Sequence, residues 1–388
     1  MISVDEALTR CVALITPLPA ERIALRLSVG RMMASPAMAT RDQPPFPASA
    51  MDGYALQGDP AAGDSFTVVG TAQAGKAYAG TIAPGQAVRI FTGAPVPQGA
   101  NRVVIQEDVT ASANTITLNP NADTARHIRP AGQDFKVGDV LTPRRIHPHD
   151  LALLAAMNLP YLQVHRRPTV AIIATGDELV MPGETPNPDQ ILCSNSFTLA
   201  ALIEAEGGIA RILPIARDTE IDLRAAFALA TDADLIVTIG GASVGDHDLV
   251  GPVAESLGLK RAFWKIAMRP GKPLMAGRLN GTPMLGLPGN PVSCIVCAHL
   301  FLLPMVRALQ ARPDVAPQPQ EATLGADVDA NGPRTHYMRA TVSGGSVIPF
   351  DRQDSALIRI LTEANALLIR PLGDAAQKAG TKAFYLPL

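Results

Sequence analysis

Cysteine is scarce in this chain of 388 residues, which has only four: Cys11, Cys193, Cys294 and Cys297. So few cysteines cannot form the disulfide framework of a secreted protein. Their number is typical of a protein that stays in a reducing compartment.

Charge and long apolar runs are also sparse. Charged residues make up 18% of the chain and the net charge is −2, so no overall charge attracts nucleic acid or an anionic membrane. The first ten residues contain neither a basic leader nor an apolar signal core. The longest nearly apolar run, residues 294–306, is shorter than the ~20 residues that a membrane-spanning helix needs. We therefore predict a soluble cytoplasmic protein that binds neither nucleic acid nor a membrane.

Three conspicuous groups are better explained by packing than by chemistry. Cys294 and Cys297 have the spacing of a redox pair, but they lie in an apolar run, which predicts two core thiols. His147 and His149 have a spacing seen in metal sites, yet no cluster of further ligands accompanies them. Trp264, the only tryptophan, is predicted to lie in the core.

The first half of the chain mixes helices with short strands. Ser3 and Glu6 form a capping box that predicts a helix start. Short β-prone runs separated by glycine, proline and asparagine predict an all-β region between residues 65 and 118. A helix is predicted over residues 148–157, and Asn158 is expected to end it in the left-handed conformation that glycine usually takes.

From residue 168 onward, apolar strands alternate with helices, which predicts a parallel sheet with helices on both faces. We therefore predict a multidomain α/β plus β protein with a central doubly wound, mostly parallel α/β domain, an inserted all-β domain and a small C-terminal β domain. The predicted boundaries are 1–45 with 126–167 for a helical linking domain I, 46–125 for the all-β domain II, 168–312 for the α/β domain III, and 318–388 for domain IV.

Acids and glycines follow three strands of the predicted parallel sheet. The strand at residues 235–239 runs into a glycine loop that ends in Asp248, while Asp177 with Glu178 and Asp218 follow two other strands. The carboxyl ends of parallel strands lie on one edge of a sheet, so these groups are expected to converge. Alternatively, Asp177 and Asp218 only cap helices, as most isolated acids after strands do.

Three cations lie beside one Gly-Pro turn: Lys265, Arg269 and Lys272. Because like charges repel, this grouping favours an anion among them. The glycine loops at residues 240–245 and 286–290 would complete a cradle for an extended anionic ligand. Neither loop is a dinucleotide or nucleoside-triphosphate fingerprint, which argues against a dehydrogenase and an ordinary NTPase.

Seven short motifs in this order resemble one family over nearly the full length, the molybdopterin molybdenumtransferases. These MoeA-like proteins are related to the E domain of gephyrin and its plant counterpart. The motifs are SAMDGYA (49–55), TGAPVP (92–97), GQD (132–134), TGDEL (175–179), GGASVGDHD (240–248), RPGKP (269–273) and GLPGNPVS (286–293).

The resemblance implies an enzyme that inserts molybdate into adenylylated molybdopterin and releases AMP and molybdenum cofactor, with Mg²⁺ as the metal. It also implies a cytosolic homodimer with a molybdopterin-binding α/β domain. The resemblance further implies that other proteins of cofactor biosynthesis and molybdoenzyme maturation are partners.

The residues at the matching motif positions of this chain are implied to have the roles that they have in the family. The implied catalytic polar residues are Asp52, Thr92, Asp134, Glu178, Asp218 and Asp248. The implied metal ligands are Asp177, Glu178, Asp218 and Asp248. The implied pterin-nucleotide residues are Gly240, Gly241, Ser243, Gly245, Pro288, Gly289, Asn290 and Ser293, with Lys265, Arg269 and Lys272 for phosphate or molybdate.

The chain departs from the family pattern at two functional loops. Its glycine loop reads GGAS where GGVS is common, and Arg269 stands where some relatives have lysine, which changes hydrogen-bond geometry but keeps the charge. Three alternatives remain open: a paralogue that inserts tungstate, a non-catalytic cofactor carrier or scaffold, and a different nucleotide pyrophosphatase. Only the pyrophosphatase would release AMP without needing an oxyanion.

Overall fold

A computed structural model of the protein describes residues 1–241 and 249–388. Two compact units make up the chain. The larger unit contains residues 1–21, 30–32 and 164–388, and the smaller one contains residues 22–29 and 33–163.

Short strands dominate the first part of the chain, and longer elements follow. Through residue 167 the elements are α1 (Val4–Ala13), β1 (Ala20–Ala24), β2 (Ala37–Met38), β3 (Ala48–Ser49), β4 (Gly53–Leu56), β5 (Ser65–Ala72), β6 (Gln86–Ile90), β7 (Arg102–Ile105), β8 (Val109–Ser112), β9 (Thr115–Leu118), β10 (Ile128–Arg129), β11 (Val140–Leu141), α2 (Pro148–Ala156) and β12 (Tyr161–His165). Beyond it are β13 (Thr169–Ala174), β14 (Leu179–Val180), β15 (Ile191–Leu192), α3 (Asn195–Ala205), β16 (Ile209–Ile212), α4 (Glu220–Leu229), β17 (Leu235–Ile239), α5 (Val250–Ser256), β18 (Leu259–Trp264), β19 (Met268–Arg269), β20 (Met275–Leu279), β21 (Thr282–Leu287), α6 (Pro291–Cys297), α7 (Leu303–Leu309), β22 (Gln320–Leu324), β23 (Thr335–Ser343), β24 (Ser346–Pro349), α8 (Ile358–Glu363), β25 (Ala366–Arg370) and β26 (Lys382–Pro387).

The smaller unit is built on a six-stranded sheet with the order β7-β4-β6-β5-β9-β8. Neighbouring residues alternate between its two faces: Ala55 and Val88 pack in one apolar cluster, while Leu56 and Ala87 pack in the other. This alternation is the period of an extended strand. The prediction of an inserted all-β region is confirmed.

A mixed six-stranded sheet forms the centre of the larger unit, in the order β16-β13-β17-β21-β20-β18. The first four strands run parallel, and β20 and β18 are antiparallel to their neighbours. All five residues of β17 are buried, which explains why all but Thr238 are apolar. Asn280 and Gly281 form the tight hairpin turn between β20 and β21, with positive φ angles of 49° and 91°.

Helices cover both faces of this sheet, as predicted. One apolar cluster joins α1, α3 and α6 to the sheet, and the other joins α4 and α5. Helix α6 continues through a π-helical turn, Ala298–Leu302, into α7. On length and apolar composition alone, the stretch Pro291–Leu309 could cross a membrane. However, 89% of an 18-residue apolar segment within it is buried inside the protein, as in a core helix.

The core thiols in this helix confirm another prediction. Cys294 and Cys297 are fully buried. Burial raises the pKa of both thiols far above its ordinary value, so neither forms the reactive thiolate.

Trp264 was predicted to lie in the core, and that prediction is wrong. The side chain is 37% exposed at the end of β18, which is an edge strand. The pairing of β18 with β20 shifts register between Arg261 and Phe263. After this shift Phe263 is buried. Because neighbouring side chains of a strand point to opposite faces, Trp264 faces outward.

The C-terminal strands close into a small barrel, because β23 pairs with both β24 and β25. The short strand β19 of the preceding segment adds to it, pairing parallel to β23 with Arg269 opposite His336. This pairing attaches the RPGKP segment to the barrel.

A buried charge network holds the end of α3 to the segment after α7. Glu206 forms ion pairs with Arg307 and Arg312. Burial alone would raise the pKa of Glu206, but the two arginines outweigh burial and lower it. Glu206 is therefore ionised at neutral pH and contributes stability that disappears as the pH falls through its lowered pKa.

Glu206→Gln is expected to reduce the free energy of unfolding by about 2 kcal/mol at pH 7, because one arginine pair is left partly uncompensated. Urea denaturation should show this difference shrinking as the solution is acidified. Glu6→Gln is the matched control, since Glu6 forms an exposed pair with Arg10 and should change the stability by under about 0.5 kcal/mol. Equal effects of the two substitutions would contradict the proposed role of the network.

Candidate functional site

The carboxyl ends of the parallel strands meet at one edge of the central sheet. The Thr175 N–H donates to the Ile239 carbonyl at 3.0 Å, and the Gly240 N–H donates to the Leu287 carbonyl at 3.0 Å. Gly240 has a φ of +91°, and a Cβ there would lie 2.9 Å from the Thr175 carbonyl oxygen. Only glycine fits this position, because any side chain would collide with the neighbouring strand end.

The predicted acids are part of this edge. The Asp218 N–H donates to Asp177 Oδ1 at 3.1 Å, which joins the loops after β13 and β16. Thr219, not Asp218, caps α4, because its side chain accepts the Asp222 N–H at 3.1 Å. Asp177 precedes the short strand β14, so neither acid is a helix cap, and that alternative is wrong.

Glu178 turns back over its own loop. A Cβ built on Gly176, which has a φ of +145°, would lie 2.3 Å from Glu178 Oε2. Arg217 fixes this loop by donating to the carbonyl oxygens of Asp177 at 2.9 Å and Leu179 at 3.0 Å. The carboxylate therefore sits on a backbone that both glycine and arginine constrain.

A cavity of about 440 Å³ lies at this edge, and we call it the glycine-loop cavity. The side chain of Asn195, at the start of α3, donates to the Gly289 carbonyl at 2.8 Å and supports its second loop. Its lining includes Glu178, Ile191, Leu192, Asn195, Gly240, Gly241, Pro273, Pro288, Gly289 and Asn290. Ser243, Gly245 and Asp248, also predicted here, lie outside the described residues.

A second cavity of about 660 Å³, the basic cavity, adjoins the first. Its lining includes Arg269, Lys272, Ser293, Arg334, His336 and Ser355, together with Asp351 and Asp354. His336 is only 7% exposed. Desolvation lowers its pKa to about 4, with nearby arginines adding to the effect, so the imidazole is neutral at physiological pH.

The two cavities share a wall. Pro273 lines both. Asn290 Nδ2 donates to Ser355 Oγ at 3.3 Å, and the Val292 N–H donates to the Ser355 carbonyl at 3.0 Å. A ligand that filled both cavities would therefore contact the glycine loops and the basic residues together.

Lys265 differs from the other two predicted cations. Its Nζ lies 4.1 Å from the centre of the Trp264 ring, a cation-π contact. Among the described residues it belongs to the lining of neither cavity. The structure thus brings Arg269 and Lys272 together and places Lys265 on the exposed tryptophan.

Within the smaller unit, Asp52 and Thr92 form a polar pair. Asp52 Oδ1 accepts the Thr92 N–H at 2.7 Å and the Thr92 hydroxyl at 2.8 Å. These hydrogen bonds, with a smaller contribution from Arg89, lower the pKa of Asp52 and keep it ionised at neutral pH. Asp134 lines a cavity of about 640 Å³ whose wall includes Gly93, the neighbour of Thr92.

The metal prediction has a limited structural basis. In the described part of the chain, no group of three or more histidine, cysteine, aspartate or glutamate side chains is arranged to hold a metal ion. Mg²⁺ needs only one or two carboxylates when a substrate phosphate and water supply the other ligands. Glu178 lines the glycine-loop cavity and fits that smaller requirement, whereas Asp177 and Asp218 are outside the lining formed by the described residues.

Three lining residues were not predicted: Asn195, His336 and Ser355. Asn195 is the first residue of α3, a position that by itself indicates only a helix start. Ser355 comes from the C-terminal region, and only the folded contact with Asn290 links it to the site. No local sequence pattern identifies either residue.

Comparisons with known proteins cover nearly the whole chain. Three family models match it: the MoeA N-terminal region (domain I and II) over residues 2–158, a probable molybdopterin binding domain over 171–308, and the MoeA C-terminal region (domain IV) over 321–388.

Sequence relatives and a solved structure agree with these models. The chain is 32% identical to a molybdopterin molybdenumtransferase of Staphylococcus epidermidis, covering 98% of this chain and 94% of that protein. It is 34% identical to molybdopterin molybdenumtransferase 2 of Mycobacterium tuberculosis, covering 93% of each. A crystal structure of a molybdopterin biosynthesis MoeA protein from Pyrococcus horikoshii matches with a TM-score of 0.87 and 28% identity, covering 100% of this chain and 99% of that one.

Proposed function

This chain belongs to the molybdopterin molybdenumtransferase family, a family of transferases in molybdenum cofactor biosynthesis, and on that premise we propose that it inserts molybdate into adenylylated molybdopterin. AMP and molybdenum cofactor are the products. The observation that carries the proposal is the pair of adjoining cavities, one lined by glycine loops and the other by cations.

The pterin nucleotide occupies the glycine-loop cavity in this proposal. Gly240, Gly241 and Gly289 allow the backbone to approach the ligand, and glycine loops at strand ends suit phosphate groups. Pro288 and Asn290 complete the second loop, and Ser293 lies next to it on the basic side.

Molybdate occupies the basic cavity. A tetrahedral dianion is matched by the charges of Arg269, Lys272 and Arg334. The hydroxyl groups of Ser293 and Ser355 can donate further hydrogen bonds without adding charge. With molybdate beside the nucleotide cavity, the two dithiolene thiols can bind molybdenum while one molybdate oxygen leaves as water with the two thiol protons. A further water hydrolyses the phosphoanhydride and releases AMP.

Mg²⁺ is proposed as the metal, held by Glu178 and the Asp177–Asp218 pair, with Asp248 as the remaining proposed ligand. When bound, the ion would neutralise charge on the pyrophosphate. Asp177 Oδ1 accepts the Asp218 N–H, so the chain itself fixes the Asp177 carboxylate and the backbone of Asp218.

The proposal also assigns functional roles to Asp52, Thr92 and Asp134, and phosphate binding to Lys265. We propose a cytoplasmic homodimer with the four domains delimited above. Light scattering of the purified protein at several concentrations tests the dimer, because a monomer at all of them would overturn it.

The experiment for the reaction is to incubate purified protein with adenylylated molybdopterin and Mg²⁺, with and without molybdate. AMP release is expected only when molybdate is present, with molybdenum cofactor formed in equal amount. AMP release that ignores the oxyanion would identify a pyrophosphatase, and no release under any condition would identify a carrier or scaffold.

Tungstate belongs in the same experiment as a third arm. Molybdate and tungstate have nearly the same size and charge, so binding alone discriminates between them weakly. A reaction supported by tungstate and not by molybdate would replace the proposed substrate.

A further inference from the structure

Two aliphatic side chains in the glycine-loop cavity are unusually exposed. Ile191 is 58% exposed and Leu192 is 48% exposed, and both line the cavity. Strand β15 holds them in place by pairing with β14, and the Ile191 N–H donates to the Glu178 carbonyl at 2.7 Å. This apolar surface is therefore fixed next to the proposed reaction centre, and within residues 1–241 and 249–388 no protein group covers it fully.

Asn195 adds a directed polar atom to the same cavity. Its Nδ2 donates to the Gly289 carbonyl, which sets the orientation of the amide. Its Oδ1 is shielded from solvent and has no hydrogen-bond partner in the part of the chain that the structure describes. A buried acceptor without a donor is costly, so a ligand N–H that reached Oδ1 would remove that cost.

We propose that Ile191, Leu192 and Asn195 form a subsite for an amino-bearing fused heteroaromatic ring. This inference rests on the proposed function and assigns part of its substrate to these residues. Aliphatic side chains and the prolines of the cavity pack against the faces of a planar ring, while Asn195 Oδ1 accepts a ring amino hydrogen.

The basic cavity cannot serve the ring equally well. Its lining in the described part of the chain contains no valine, leucine or isoleucine. Charged and hydroxyl groups dominate instead, and these suit an oxyanion. The contrast between the two linings assigns the ring to the glycine-loop cavity.

Two rings of the proposed substrate have the required chemistry, adenine and the pterin. Isothermal titration calorimetry with AMP and with neopterin distinguishes them. Ile191→Asp should weaken the binding of the ring that uses this subsite by about tenfold, because it replaces apolar contact with a solvated charge. Ile221→Asp is the matched control, since Ile221 is 80% exposed on α4 and should leave both affinities unchanged.

A loss confined to AMP assigns the subsite to adenine, and a loss confined to neopterin assigns it to the pterin. Unchanged affinity for both ligands, or no binding of either by the unmodified protein, would overturn the proposal. Circular dichroism and thermal unfolding identify any variant that fails to fold, and Leu192→Asp provides a second test at the adjacent residue.

Asn195→Leu tests the directed hydrogen bond separately. If adenine is the ring, the unmodified protein should bind AMP about fivefold more tightly than purine riboside 5′-monophosphate, which lacks the amino group. The variant should lose that preference. If the pterin is the ring, the variant should instead bind neopterin about fivefold more weakly. A variant that kept both the preference and the neopterin affinity would contradict the role of Asn195.

These binding measurements remain interpretable whatever the reaction experiment shows. Normal ring binding with no molybdate-dependent AMP release would contradict the proposed reaction and leave the subsite standing. If AMP release depends on molybdate but Ile191→Asp leaves ring binding unchanged, the proposed reaction is supported and the subsite is contradicted.

Discussion

Glu178→Gln is expected to reduce molybdate-dependent AMP release about a hundredfold or more, while the protein stays folded. Glutamine preserves the size of the side chain and removes its negative charge. The carboxylate lies over Gly176 in a loop that Arg217 fixes, so its position is set before any ligand arrives. Removing a preorganised charge from a reaction centre affects the rate far more than the stability.

The measurement is the initial rate of AMP release at saturating molybdate, with thermal unfolding to establish the folded state. Glu184→Gln is the matched control, because Glu184 lies six residues away on an exposed loop and outside the lining of the glycine-loop cavity. A rate within threefold of the unmodified protein would remove Glu178 from the proposed centre. An equal loss in both variants would show that the loop conformation, rather than the Glu178 charge, was responsible.

The sequence predicted the edge of the sheet well, because that prediction needs only local patterns. The apolar run of β17 indicated a strand buried on both faces, and its glycines marked where the chain leaves the sheet. Parallel strands then place their ends together irrespective of how far apart they lie in the chain. The hydrogen bond between Asp177 and the Asp218 backbone, 41 residues apart, follows from that topology.

Side-chain direction around the three cations was harder to predict. Lys265, Arg269 and Lys272 are close in sequence, yet only two of them line the basic cavity. The register shift in β18 decides which side of the strand Trp264 occupies, and Lys265 follows with a φ of +66°. A bulge is not visible in a pattern of apolar residues, so the exposed position of Trp264 could not be predicted.

Contacts between distant segments were the remaining gap. Ser355 lies 65 residues beyond Asn290, and nothing in its neighbourhood of the sequence indicates a binding role. Its position depends on how the C-terminal barrel packs onto the segment that contains α6. The pairing of Arg269 with His336 is another such contact, because it joins β19 to the first part of β23. These interactions need the tertiary arrangement, which composition and periodicity do not specify.

Replacing both Arg269 and Lys272 with glutamine is expected to raise the molybdate concentration for half-maximal AMP release about a hundredfold. Each substitution removes a charge-assisted hydrogen bond, typically about 1.5–3 kcal/mol, to a dianion in the basic cavity. His336 is not expected to supply a replacement charge, because burial is the main cause of its lowered pKa and remains in the variant. Arg334 is then the remaining cation among the lining residues in the described ranges.

The control is Lys260→Gln with Arg278→Gln, which removes two charges from β18 and β20 without altering either cavity lining. It separates the local effect from the general loss of positive charge. AMP affinity, measured by calorimetry, should change less than about threefold in the cavity variant, since most of the nucleotide contacts lie in the glycine-loop cavity. A variant that weakened AMP and molybdate equally would show that the two cavities do not divide the substrate as proposed. If the molybdate concentration for half-maximal AMP release were unchanged in the cavity variant, the oxyanion would not bind in the basic cavity. The charges of Arg269 and Lys272 would then need another explanation.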